Sequence, residues 1–188
     1  MSFAKSIAVN TPCFCLTTCS PTLELLPVNV NCKADVEEFF IQRLIIFLAN
    51  DYKKEVLEAC STKNPCIDLC DYLERVKVAS KIADAKLVEN ANRVLRILKE
   101  DVQNEINVTL FTLDAEKNLY DAVSKIKFSE NYEEFLSALI AINPVVTKFF
   151  DDVLVMDKDE KIKNNRLALL KELKNKYIML TDFSKLNV

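Results

Sequence analysis

The chain has 188 residues and contains neither glycine nor histidine. A typical chain is roughly 7% glycine, so about 13 would be expected at this length. Phosphate-cradling loops and dinucleotide fingerprints need glycine where backbone approaches phosphate, so both are excluded. Two-residue hairpins with mirror-image turns are hard to make without glycine, which weighs against an all-β fold. Without histidine there is no Ser–His–Asp triad, no Cys–His dyad and no imidazole metal ligand. No catalytic residue and no metal site is therefore expected. Long apolar runs are missing too. The best candidate, FFIQRLIIFLAN, is interrupted by Gln42 and Arg43, well short of the roughly 18–20 apolar residues that span a bilayer. The first twenty residues hold one lysine and no sustained apolar stretch, a poor match to a signal peptide.

Half the residues are hydrophobic and 28% are charged, with a net charge of −3. That balance suits a soluble globular protein with one substantial core. Seven cysteines cannot all pair within one chain, and free thiols in a reducing cytoplasm are the expectation.

Residues 1–32 stand apart. They carry Pro12, Pro21 and Pro27, four cysteines and few charges, with no helical period. They read as an irregular tail or truncated linker. Cys13, Cys15, Cys19 and Cys32 lack the doubled short spacing of four-thiolate zinc sites. From residue 33 to 188 the text is helical almost throughout. ADVEEFFIQRLIIFLAND opens with Asp35 as N-cap and repeats Phe39, Phe40, Leu44, Phe47 and Leu48 at spacings of three and four. A short helix follows at about 51–60. Asn64 caps a third, with Pro65 in its first position. Residues 80–100 form a fourth, with Leu87, Ala91, Val94 and Leu98 on one stripe. NVTLF is a brief extended piece. Then come a helix at DAEKNLYDAVSKI, one capped by Ser129 and another capped by Asn143 with Pro144 first. The last, DKDEKIKNNRLALLKELKNKY, starts with a capping-box pattern at Asp157 and Glu160. No repeat of fixed period is present. The fold class is an all-α helical bundle.

Ile162, Leu169, Leu170, Leu173 and Tyr177 make one stripe on that last helix, and Arg166 falls within it. A guanidinium facing a core needs a partner, because an unpaired buried charge is costly. Either Arg166 hydrogen-bonds Asp151, Asp152 or the backbone of the turn after them, or it snorkels to solvent. Charge is also segregated. Residues 157–177 carry seven positive and four negative side chains, whereas 129–156 carry one positive and five negative. The basic segment suggests phosphate contacts, although lysines on an exposed helix face are commonly just solvated. Candidate RNA contacts are Arg93, Arg96 and Lys99 on one helix and Lys163, Lys171 and Lys174 on the other. Reversing the charge of Lys171 and Lys174 should lower RNA affinity and flatten its salt dependence. Cys66 and Cys70, at i,i+4, read as core thiols. Glu37, Glu38, Glu133 and Glu134 read as acids favoured by helix N-termini rather than as an acid–base pair. Phe39, Phe40, Phe149 and Phe150 read as core, and as base-stacking platforms only if exposed.

The segment FFDDVLVMDKDEKIKNNRLALLKEL resembles the C-terminal part of the β subunit of bacterial glycyl-tRNA synthetases. The resemblance rests on Phe149, Phe150, Asp151, Val153, Val155 and Met156, then Asn165 to Leu170. It extends back through LFTLDAEKNLYDAV, NRVLRILKE and EFFIQRLIIFL, in the same order and spacing over about 35–186. Asn92 stands where that family usually has lysine, and Arg96 where it has asparagine. The family's β subunit is far longer and ends in a helical anticodon-binding domain of the type named for its DALR motif. The resemblance implies tRNA recognition, with a glycine-accepting tRNA, the α subunit and the rest of the β subunit as partners. It implies ATP and Mg²⁺ only for the whole synthetase, whose α subunit activates glycine. The alternative is a helical protein–protein module, with the acidic 129–156 segment as docking face.

Overall fold

A computed structural model describes residues 32–98, 105–128 and 131–186. The described residues are all helical, with seven α-helices, two short 3-10 turns and no strand. In chain order the helices are α1 (Cys32–Leu48), α2 (Lys54–Cys60), α3 (Leu69–Ala79), α4 (Ala85–Ile97), α5 (Asp114–Lys125), α6 (Tyr132–Asp152) and α7 (Glu160–Leu180). The 3-10 turns are Val108–Leu110 and Phe183–Lys185. None of these helices is long and apolar enough to cross a membrane. The reading that Cys13, Cys15, Cys19 and Cys32 form no zinc site falls largely outside the described residues. The first three lie outside the described residues, as does the side chain of Cys32.

The predicted stripes become the core. Leu87, Ala91, Val94 and Leu98 of α4 are buried, as are Leu169, Leu170, Leu173 and Tyr177 of α7. Each such leucine contributes about 1.5–3 kcal/mol of burial. Residues 165–170 are buried without interruption, so α7 is enclosed on all sides there. α4 packs on α6, α7 and the Phe183–Lys185 turn, while α5 packs on α6 and α7. α3 joins α2 to α6, and α1 packs chiefly on α2.

Several helix starts differ from expectation. Asp35 lies inside the first turn of α1, which begins at Cys32. Asn64 closes an Asx turn on the Cys66 N–H at 2.9 Å, and α3 instead starts after Asp68, which accepts from Asp71 N. Both residues can cap, but Pro65 is buried in the preceding turn rather than opening a helix. Ser129 lies outside the described residues, and Asn131 caps α6 by accepting from the Glu133 and Glu134 N–H groups. α6 does not break at Asn143. It runs through Pro144, because Pro144 and Ile140 lie on the exposed face, where water can serve the carbonyl that proline leaves without a donor. α7 is capped by Asp159 rather than Asp157. The NVTLF piece contains the Val108–Leu110 turn of 3-10 helix instead of a strand.

Two expectations about apolar side chains also change. Leu48 is buried and Leu44 packs against the core, yet Phe39, Phe40 and Phe47 of α1 are exposed. Cys66 and Cys70 are exposed thiols, and the buried one is Cys60. Burial pushes the Cys60 thiol pKa up against its hydrogen bond with Thr181.

Candidate nucleic-acid interface

Two polar constellations hold the helices that carry the candidate cations. The first surrounds Arg166, which is 4% exposed. Its Nε donates to Glu116 Oε1 at 2.5 Å. One terminal nitrogen donates to Asp157 at 2.7 Å and to the Leu154 carbonyl at 2.9 Å. The other donates to Thr112 Oγ1 at 3.2 Å. Asp151 and Asp152 are exposed and take no part. The turn backbone that follows them does, through Leu154. Glu116 is fully buried, and its second oxygen accepts from the Thr112 and Leu113 N–H groups at 2.7 and 2.9 Å. One carboxylate thus caps the start of α5 and neutralises α7. Burial pushes the Glu116 pKa up, but the Arg166 hydrogen bond and the two backbone donors outweigh it, and the group sits below its ordinary value. Next to it, Asn165 accepts from Asn107 N at 2.7 Å and donates to Asn107 O at 3.0 Å. The pair Asn165–Arg166 therefore ties the 107–113 and 154–157 loops to α7.

The second constellation lies behind α4. Asn90 donates to Asn143 at 2.7 Å and to Thr147 at 2.9 Å, and Asn143 donates to Asp84, the N-cap of α4, at 3.5 Å. These bonds register α4 against α6.

α4 also carries Arg93, at the edge of its contact with α6, and Arg96, both exposed. They are three residues apart on one helix and so are neighbours, about 5–6 Å between their Cβ atoms. The Arg93 guanidinium carbon lies 4.3 Å from the centroid of the Phe150 ring. Phe149 and Phe150 are buried core residues, as expected, and Arg93 covers the second. Arg96 lines an open hollow with Thr62, Asn92, Leu95, Ile178, Asp182 and Ser184. Asp182 is turned toward its own loop, accepting from Ser184 N at 3.1 Å and Ser184 Oγ at 2.6 Å.

The α7 cations are disposed differently. Lys174 donates to the Leu98 carbonyl at 3.3 Å, placing its charge at the C-terminus of α4, where the helix dipole favours it. Lys171 lines a separate hollow with Tyr120, Glu172, Glu105 and Lys176. Lys163 is half-buried near the start of α7. Lys99 lies outside the described residues. The structure thus brings Arg93, Arg96 and the Lys174 anchor together around α4 and puts Lys171 on the α5 side. Glu133 and Glu134 sit in the first turn of α6 as expected, and Glu133 pairs with Lys81 at 2.5 Å. Among the described residues no group of three or more metal-ligating side chains forms.

Sequence reasoning found Arg166 but missed Glu116, its nearest acid. The signal was present. A glutamate three residues into a helix commonly reaches back to the N-terminal backbone, and such a carboxylate has a lone pair left for an arginine. The Asp182–Ser184 rim of the Arg96 hollow carried no signal, because only the fold brings it beside α4.

No family model matches the chain. Its homologues carry the name glycine–tRNA ligase beta subunit. A relative from Pseudoalteromonas translucida is 37% identical over 173 residues, covering 84% of this chain and 25% of the relative. One from Sulfurihydrogenibium is 34% identical over 162 residues, covering 79% and 24%. One from Aquifex aeolicus is 34% identical over 154 residues, covering 79% and 23%. The chain spans about a quarter of the length of the curated relatives it matches.

Proposed function

We propose that this chain is a tRNA-recognition unit of the glycine–tRNA ligase β-subunit type, with residues 33–188 forming a helical anticodon-binding domain of the DALR class. The observation that carries this is similarity to such β subunits over about four fifths of the chain. The α4 face supports it with two adjacent exposed arginines beside an open hollow. RNA loops offer unpaired bases that proteins stack and read along their edges, and arginine does both. The chain would act by binding and positioning a glycine-accepting tRNA. Aminoacylation, with its ATP and Mg²⁺, would belong to the whole cytoplasmic synthetase, with the α subunit and the remainder of a β subunit as partners.

The test is equilibrium binding of the purified chain to a glycine tRNA and to an unrelated tRNA, at low and moderate salt. Tighter, salt-sensitive binding to the glycine tRNA is expected. Equal affinity for both, or no binding, would overturn the reading.

A second reading has its own observation. α1 exposes Val36, Phe39, Phe40, Ile46 and Phe47, with Phe47 at 75%. Such an apolar face commonly marks a protein contact, which favours a helical interaction module. Stable association with a synthetase α subunit in the absence of RNA would support it.

A further inference from the structure

The strongest unassigned feature is the Arg93–Phe150 stack. Phe150 is 6% exposed and is itself braced edge-on by Phe149, with ring centroids 5.6 Å apart. Arg93 lies at contact distance above that ring, yet the residue as a whole is exposed. A guanidinium is planar and has two faces. Its central carbon lies over a fixed ring, and the residue stays exposed to solvent. A surface arginine ordinarily spends rotamer entropy when it engages a ligand. This one is already held in place over the ring by the cation–π contact.

We infer that Arg93, held over Phe150, is a stacking shelf for one unpaired RNA base, and that the hollow lined by Arg96, three residues further along α4, receives the edge of a neighbouring base. The inference rests on the RNA-recognition reading and names what the α4 face contacts. The hollow supports a base rather than a phosphate. It presents Arg96 as donor, the second carboxylate oxygen of Asp182 and the Ser184 hydroxyl oxygen as acceptors, and Asn92 as either. Asp182 would repel a phosphate, whereas base edges carry donors and acceptors side by side. Leu95 and Ile178 supply the apolar floor on which a base plane can rest.

The decisive variant is Arg93→Lys, which keeps the charge and removes the plane. Arg93 is exposed, so the fold is expected to survive, and an unchanged melting curve checks that. Binding is measured to an in vitro transcribed glycine tRNA across a salt series. It is repeated with transcripts carrying a single abasic nucleotide at each anticodon-loop position in turn. The expected result is an affinity about tenfold lower for Arg93→Lys, from one lost base stack, with the salt slope unchanged. At one abasic position the wild type should weaken about tenfold and the variant no further, which assigns the stacked base. If the wild type binds and Arg93→Lys binds equally well, the shelf is refuted while the RNA reading stands. If Arg93→Lys is silent but Arg93→Gln lowers the salt slope by about 0.7, Arg93 holds a phosphate and the shelf is again refuted. If the wild type binds no tRNA at any salt, the RNA reading itself fails.

Discussion

Replacing Arg166 by methionine tests the central packing device of the fold. Methionine keeps most of the volume and removes the charge. Glu116 is left fully buried with two backbone donors and no cation, and the Leu154 carbonyl and Asp157 lose their donor. Removing one partner of a buried pair costs about 3–5 kcal/mol. For a chain of this size each kcal/mol lowers the melting temperature by about 2–4 °C, so a drop of roughly 10 °C is expected. The pH dependence gives a sharper signature. In the wild type the folded Glu116 pKa lies below its ordinary value. Its stabilisation is therefore complete above the unfolded pKa of about 4.3 and fades as pH falls through the lower folded value. In Arg166→Met burial prevails and the folded pKa rises above the unfolded one. The variant then regains stability on acidification, so the gap to wild type is widest near pH 7 and narrows below about pH 5. The double variant Arg166→Met/Glu116→Gln should recover a large part of the loss, since it leaves no unpaired buried charge. Urea and thermal melts at pH 7 and pH 4 decide the matter. A variant within about 2 °C of wild type, or a gap that does not depend on pH, would refute the reasoning.

Three further outcomes are expected. Asn165→Ala removes both hydrogen bonds to the Asn107 backbone and should cost about 1–3 kcal/mol in a urea melt. The Tyr177 hydroxyl is buried without a hydrogen-bond partner among the described residues, and burial raises its pKa. Tyr177→Phe should therefore melt at the same temperature or higher, and a clear fall would expose a partner for that hydroxyl. Phe47 is exposed, so Phe47→Glu should leave the melting temperature unchanged, while light scattering at rising concentration shows whether the α1 face drives self-association.

Much of the fold was legible as periodicity. The α4 stripe Leu87–Ala91–Val94–Leu98 and the α7 stripe around Leu169–Leu173–Tyr177 are buried as read. Boundaries were less legible because asparagine, aspartate and serine compete for cap positions. Asn64 and Asp68 stand four residues apart, and tertiary packing decides between them. Pro144 was read as a helix start because its local preference is for the first turn, and α6 tolerates it on an exposed face instead. Glu116 could be read as a carboxylate that caps its own helix, but it lies 50 residues from Arg166, and only the fold brings the two together. Phe39 and Phe40 were read as core, and Phe47 as part of the same apolar face, from their spacing. Spacing fixes a face, but it does not say that another element covers it.

The most direct measurement is the map of amide chemical-shift changes in the isotope-labelled chain on titration with a glycine tRNA anticodon stem-loop. Shifts centred on residues 92–98, 150 and 178–184 are predicted, with α1 silent. Shifts confined to α1, or a spectrum unchanged at saturating RNA, would contradict the account.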